Sequence, residues 1–249
     1  MQSAYPIRKV IQLSFLFTLL TLTGCGGGGS SSGSVANYTA AAYFTKTAVG
    51  NNWTLSGTSA TTTTVAGRQN SSETISNLYQ NTAFANGVVT QTNTQTTSGV
   101  AAAPTMSTTT STNFIDSLGN YANTNNGITE IILPASFSVG TSWTVAATAA
   151  PDSAIIGKIA AVGVARTVPG GTFTDCVQIN FNGTTSGTGM SGGSPYSYSG
   201  PISGTIYYSP SVGIVVETST TSTLTYTGAW TGTETITISE KLQPGYVAN

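Results

Sequence analysis

Histidine is absent from the 249-residue chain, and charged residues supply only 6% of it. The first absence removes the usual general base for a serine or cysteine nucleophile and a common zinc and copper ligand. The second leaves no cluster of lysine and arginine with which to hold nucleic acid. Cysteine occurs only as Cys25 and Cys176. The acids Glu73, Asp116, Glu130, Asp152, Asp175, Glu217, Glu234 and Glu240 are scattered, so no pair stands out as general acid and base. Helix patterning is nearly missing as well. Its best candidate is Ser34–Phe44, a serine before an alanine-containing turn, which its tyrosines and threonines weaken. Catalysis, a metal and a cofactor are therefore not expected.

Two catalytic templates match in spacing alone. Gly189-Met190-Ser191-Gly192-Gly193 has the Gly-x-Ser-x-Gly pattern and Gly187–Gly192 the Gly-x-Gly-x-x-Gly pattern. Neither leads into a helix pattern, and the serine has no base. The segment Gly183–Gly200, rich in glycine and serine, reads instead as a long flexible loop carrying Tyr196 and Tyr198.

What the chain does contain begins with an address. Arg8 and Lys9 precede an apolar run, Val10–Leu22, too short to span a bilayer comfortably, so residues 1–24 read as a signal peptide. Its end, Leu22-Thr23-Gly24-Cys25, resembles the lipobox of bacterial lipoproteins, which implies cleavage before Cys25 and lipidation of that cysteine. Acyl chains contribute about 0.8 kcal/mol per buried methylene, so two or three of them hold a protein to a membrane essentially permanently. Residues 25–34 are the lipidated cysteine and a glycine and serine tether, Gly26–Ser34, with a reach of about 15–18 Å. Gly26 in place of an aspartate resembles the outer-membrane sorting pattern of Gram-negative lipoproteins. The expected location is the cell envelope, with the protein lipid-anchored in the outer membrane. Removing Arg8 and Lys9 leaves five Lys and Arg against eight Asp and Glu, a net charge of −3. Lipidation of Cys25 leaves Cys176 as the one free thiol, so no intramolecular disulfide can form. A lone cysteine of this kind usually packs rather than reacts.

Residues 35–249 read as one β-rich domain. Threonine, valine, isoleucine and tyrosine dominate, punctuated by glycine and asparagine. Trp230, Gly232, Glu234, Ile236 and Ile238 alternate with Thr231, Thr233, Thr235 and Thr237; Val177, Ile179 and Phe181 alternate with Cys176, Gln178 and Asn180. Such alternation marks strands with one buried face. In Thr90–Thr97 both faces are polar: Gln91, Asn93, Gln95 and Thr97 on one, the even-numbered threonines on the other. A hairpin of this kind with Thr105–Thr112 is expected to project, register loosely or pair with a neighbour.

Val49-Gly50-Asn51-Asn52-Trp53-Thr54 and Val139-Gly140-Thr141-Ser142-Trp143-Thr144 repeat one phrase. Each reads as a turn leading into a strand whose tryptophan plugs the core. The expected core thus includes Trp53, Trp143, Trp230, Val177, Ile179 and Phe181. With Val168-Pro169-Gly170-Gly171-Thr172-Phe173-x-Asp175-Cys176 and Tyr207-Tyr208-Ser209-Pro210-x-Val212-Gly213-Ile214-Val215, the second phrase resembles a group of uncharacterised bacterial exported lipoproteins. That resemblance covers Tyr43 to Glu217 and implies a strongly curved antiparallel sheet like that of lipoprotein-carrier (Lol-type) domains, an incomplete barrel around an apolar cavity. It supplies no catalytic residues. With almost no helix to cover an apolar face, the alternatives are a barrel-like curl and a β-sandwich. The function expected is non-catalytic binding of a lipid or other hydrophobic ligand at the membrane, or else a surface-exposed structural or adhesive role.

Overall fold

Tight glycine turns set the architecture. Asn86 with Gly87, Asn126 with Gly127 and Gly192 with Gly193 all adopt positive φ, the mirror-image turn whose twist matches that of the strands it joins. The computed structural model describes residues 38–44, 48–99, 102–146 and 155–248. The signal peptide, Cys25 and the tether lie outside the described residues.

The elements are β1 (Tyr38–Thr39), α1 (Ala40–Phe44), β2 (Asn52–Thr63), β3 (Ser71–Ala85), β4 (Val88–Gly99), β5 (Ala102–Ile115), β6 (Tyr121–Asn125) and β7 (Ile128–Leu133). They continue as β8 (Ser136–Phe137), β9 (Ser142–Ala146), β10 (Ile155–Val168), β11 (Gly171–Ser191), β12 (Ser194–Ser209), β13 (Ile214–Gly228) and β14 (Gly232–Leu242). β1 pairs with β8. The remaining strands make one 12-stranded antiparallel sheet, ordered β7-β6-β5-β4-β3-β2-β14-β13-β12-β11-β10-β9.

That order is two six-stranded meanders, β2–β7 and β9–β14, each opened by one copy of the repeated phrase. Gly50 (φ 90°) and Gly140 (φ 93°) make matching turns before Trp53 and Trp143. The meanders are zipped where β2 meets β14, from Leu55 opposite Leu242 to Thr63 opposite Glu234. At the second seam β7 and β9 approach but share no ladder among the described residues. Trp143 bridges it, donating its indole Nε1–H to the Ile131 carbonyl at 2.9 Å. The sheet is thus nearly closed into a barrel, and the protein is a single all-β domain rather than a sandwich.

One end, the base, is filled. Trp53, Leu55, Phe173, Ile214, Val216 and Leu242 form one buried cluster; Tyr121, Leu133, Phe137, Ile159, Val177, Ile179 and Tyr208 form another. α1 packs there against β5 and β6, with Ala40 fully buried and its N–H bonded to the Ala135 carbonyl. The turn between β10 and β11 helps to seal it. Gly170 donates to the Leu242 carbonyl at 2.8 Å, although β12 and β13 separate β11 from β14, so this hairpin must fold across their ends. Register shifts around Ala161 and Val164 allow the bend.

The motifs that carried the family resemblance meet at this end as corners. Asp175 accepts bonds from Ser209 Oγ (2.8 Å) and Ser211 N–H (2.7 Å), while Tyr208 donates to the Gly213 carbonyl at 2.7 Å. At the opposite end, the mouth, Thr105 and Ser107 are exposed. Arg68, in the turn between β2 and β3, clasps β13 and β14 there. It pairs with Glu234 at 2.7 Å and lies over the rings of Tyr226 and Trp230.

One sequence expectation is corrected and another resolved. Gly183–Gly200 is not a loop but parts of β11 and β12, turning at Gly192 and Gly193. Gly187 lies opposite Tyr198 and Gly189 opposite Tyr196, and each tyrosine ring occupies the space that a glycine Cβ would take. This aromatic cover compensates for two glycines in mid-strand. Of the outcomes open to the β4 and β5 threonine strands, the structure shows pairing with neighbours rather than projection. They sit inside the sheet, held on one side by β3 and on the other by β6.

Candidate functional site

Register assigns the inner wall. Leu242, Leu55, Asn77, Gln95 and Ser107 stand side by side across β14, β2, β3, β4 and β5, and the first two are buried core residues. The face of β4 that carries Gln91, Asn93, Gln95 and Thr97 therefore looks into the barrel. Asn81 and Asn113 stand beside it on β3 and β5, and Asn123 and Asn125 on β6.

These amides are cross-linked. Gln91 Nε2 donates to Asn81 Oδ1 at 3.0 Å; Asn123 Nδ2 donates to Asn113 Oδ1 at 2.9 Å and to Ser111 Oγ at 3.1 Å. Asn77 Nδ2 donates to Glu240 Oε1 at 2.5 Å. Glu240 is buried, and desolvation raises its pKa, partly countered by the Asn77 bond. Trp53 stacks on Tyr79 at 5.3 Å, in the same register row as Asn93. Gln91, Asn93, Gln95, Thr97, Thr109, Ser111, Asn123 and Asn125 all retain partial exposure, so the wall is wet and hydrogen-bonding while the base beneath it is apolar.

The core residues named from the sequence divide. Trp53, Val177, Ile179 and Phe181 are buried on inward faces. Trp143 and Trp230 are only partly buried, each packed against a cluster. Trp230 is not on a strand: it lies in the turn before β14, stacked on Tyr196 at 4.3 Å. Phe181 lies over Gly204, as Trp143 does over Gly157.

Cys176 is fully buried, although its parity matches Gln178 and Asn180. The register shift opposite Val164 turns it into the base cluster, and burial pushes its thiol up to about 11. The acids have structural partners. Asp116 accepts from its own turn at Leu118 N–H and Asn120 N–H; Glu217 faces Arg166 and Lys241 at 3.6 Å. Asp152 lies outside the described residues. No group of three His, Cys, Asp or Glu residues among those described could hold a metal. Ser191 ends β11 at a hairpin turn rather than an elbow before a helix. A recess of about 350 Å³ lies on the outer face of β11–β13, lined by hydroxyls that include Ser186, Thr188, Ser197, Ser199, Thr225 and Thr227.

No protein-family model and no curated protein matches the chain. Sequence reasoning named the β4 face but did not place it inside, because alternation separates two faces without saying which is concave.

Proposed function

We propose that the protein is an exported, non-catalytic binding module, anchored in the cell envelope by lipid at Cys25, whose barrel takes a neutral, hydroxyl-rich ligand such as a saccharide. The observation that carries this reading is the amide wall of β3–β6. It presents Gln91, Asn93 and Gln95, which offer both donors and acceptors but no formal charge. Sites that hold a ligand by a few well-placed polar groups gain discrimination, because an unmatched buried amide is costly. The apolar inner side chains are packed into clusters at the base and, on the β12–β14 side, towards the mouth, which leaves the β3–β6 wall as the polar surface of the barrel and favours a polar ligand over the acyl chain suggested by resemblance to lipoprotein-carrier domains. A structural or adhesive role has one specific support, the hydroxyl-lined recess outside β11–β13.

Two measurements test the proposal. Labelled fatty acid enters the wild-type protein, and Cys25→Ser abolishes the label and releases the protein from membranes. Detergent-solubilised full-length protein is then titrated with neutral oligosaccharides and with a fluorescent fatty acid. Saturable saccharide binding that is weakened at least about fivefold by Asn93→Ala with Gln95→Ala is expected, since each lost hydrogen bond costs about 0.5–1.5 kcal/mol. Saturable fatty-acid binding, with none to saccharides, would overturn the ligand class.

A further inference from the structure

The exposed apolar side chains are not evenly spread. Of the nine large ones among the described residues, Val49, Phe84, Leu118, Val139 and Val247 lie at the base end, and they are 40% to 72% exposed. Val49 and Val139 sit in the matching turns before β2 and β9. Phe84 flanks the β3–β4 turn, Leu118 occupies the β5–β6 turn, and Val247 pairs with Asn52 beyond β14. The other four, Leu78, Met106, Ile156 and Met190, stand on outward strand faces. The tips themselves are uncharged: residues 49–51, 84–88, 117–119, 139–141 and 246–248 contain no Asp, Glu, Lys or Arg. The nearest carboxylate, Asp116, is turned back into its own loop by bonds from Leu118 N–H, Asn120 N–H and Asn120 Nδ2.

The chain's other end condition selects the occupant. Tyr38, the first described residue after Cys25 and the tether, is at the base, stacked on Phe137 at 5.7 Å. The 12 residues of β2 run about 40 Å from base to mouth, more than twice the expected reach of the tether. At its typical reach the tether therefore keeps a bilayer holding Cys25 nearer the base than the mouth.

We infer that the base rim is a membrane-docking face, on which Val49, Phe84, Leu118, Val139 and Val247 dip into the bilayer interface and hold the barrel mouth-outward. This rests on the anchor at Cys25. Scattered single apolar residues on a surface are ordinary, but a rim of them on uncharged turns facing the anchored side is the pattern of an interfacial contact. Because the anchor already confines the domain to the surface, weak individual insertions suffice to orient it. Docking leaves the amide wall accessible from the aqueous side.

Depth-resolved quenching tests the inference. The full-length lipoprotein is reconstituted in phosphatidylcholine vesicles containing brominated acyl chains, with a fluorescent probe on Leu118→Cys or Val139→Cys at the base, or on Met106→Cys or Met190→Cys away from it. Cys176 is buried and stays unlabelled. The base probes should be quenched several-fold more than the other two. Changing Val49, Phe84 and Val247 together to serine should abolish that excess at Val139→Cys without detaching the protein. Equal quenching at all four sites, or an excess that survives the serine changes, overturns the docking face. Fatty-acid labelling reports separately on the anchor. Should it fail, the same probes are read with the chain held to nickel-chelating lipid by a histidine tag in place of Cys25, and uniform quenching there overturns the rim as well.

Discussion

Glu240 is a carboxyl group held away from its ordinary chemistry. Burial among β14, β2 and β3 lifts its pKa, and the Asn77 N–H bond only partly offsets this. The folded protein therefore holds the proton to higher pH than the unfolded chain does. The stability linked to this group is fully present below the usual carboxylate range and is lost as pH rises through the raised value. Glu240→Gln, which still offers Asn77 an acceptor oxygen, should be more stable than wild type in neutral buffer and equal to it in mild acid. Urea denaturation at both pH values checks this, and a gap that does not change with pH would refute it. Cys176 makes a second residue-scale prediction. With its thiol shut into the base and its pKa at about 11, it should resist alkylation at neutral pH and react only on unfolding. Its parity had suggested the polar side of β11, and a bulge in β10, which alternation in β11 cannot reveal, is what turned it inward.

At the level of elements, one side chain bridges the second seam. Trp143→Phe keeps a ring over Gly157 but removes the N–H that reaches Ile131. It should cost about 0.5–1.5 kcal/mol. Faster hydrogen exchange confined to β7 and β9 would locate the loss at the seam, whereas exchange spread over the barrel would not. Strands and their corners were legible where alternation or turn chemistry was strong: Val177–Phe181, Ile236–Ile238, and the turns at Pro169 and Pro210. Two features were not. The pairing of Gly187 with Tyr198 becomes visible only once Gly192 and Gly193 are known to form a hairpin turn, so composition alone suggested a loop. In β4, polar residues on both faces argued against core burial, and it is the curvature of the whole sheet that makes one of those faces a lumen wall.

At the scale of the molecule, the barrel joins its own ends. Asn52 N–H bonds to the Val247 carbonyl at 3.0 Å, and Val247 N–H returns the bond at 2.8 Å, so the chain's last described strand closes on its first long one. Each meander begins with the same phrase and ends beside the start of the other, which is the arrangement of two copies of a half-barrel about a twofold axis. Such a half on its own would have joined an identical partner across two equal seams. In the present chain the symmetry is broken: one seam is a ladder of Leu55–Thr63 with Glu234–Leu242, whereas at the other the described residues share no ladder and the Trp143 indole bridges the gap. The order in which the halves are written should then matter little to the fold. A permuted gene that opens between Leu133 and Ser142 and splices residue 248 to Tyr38 through a short linker should still give an all-β circular-dichroism spectrum and cooperative unfolding. Its new ends would lie at the weak seam, away from the β2–β14 ladder that joins the two meanders.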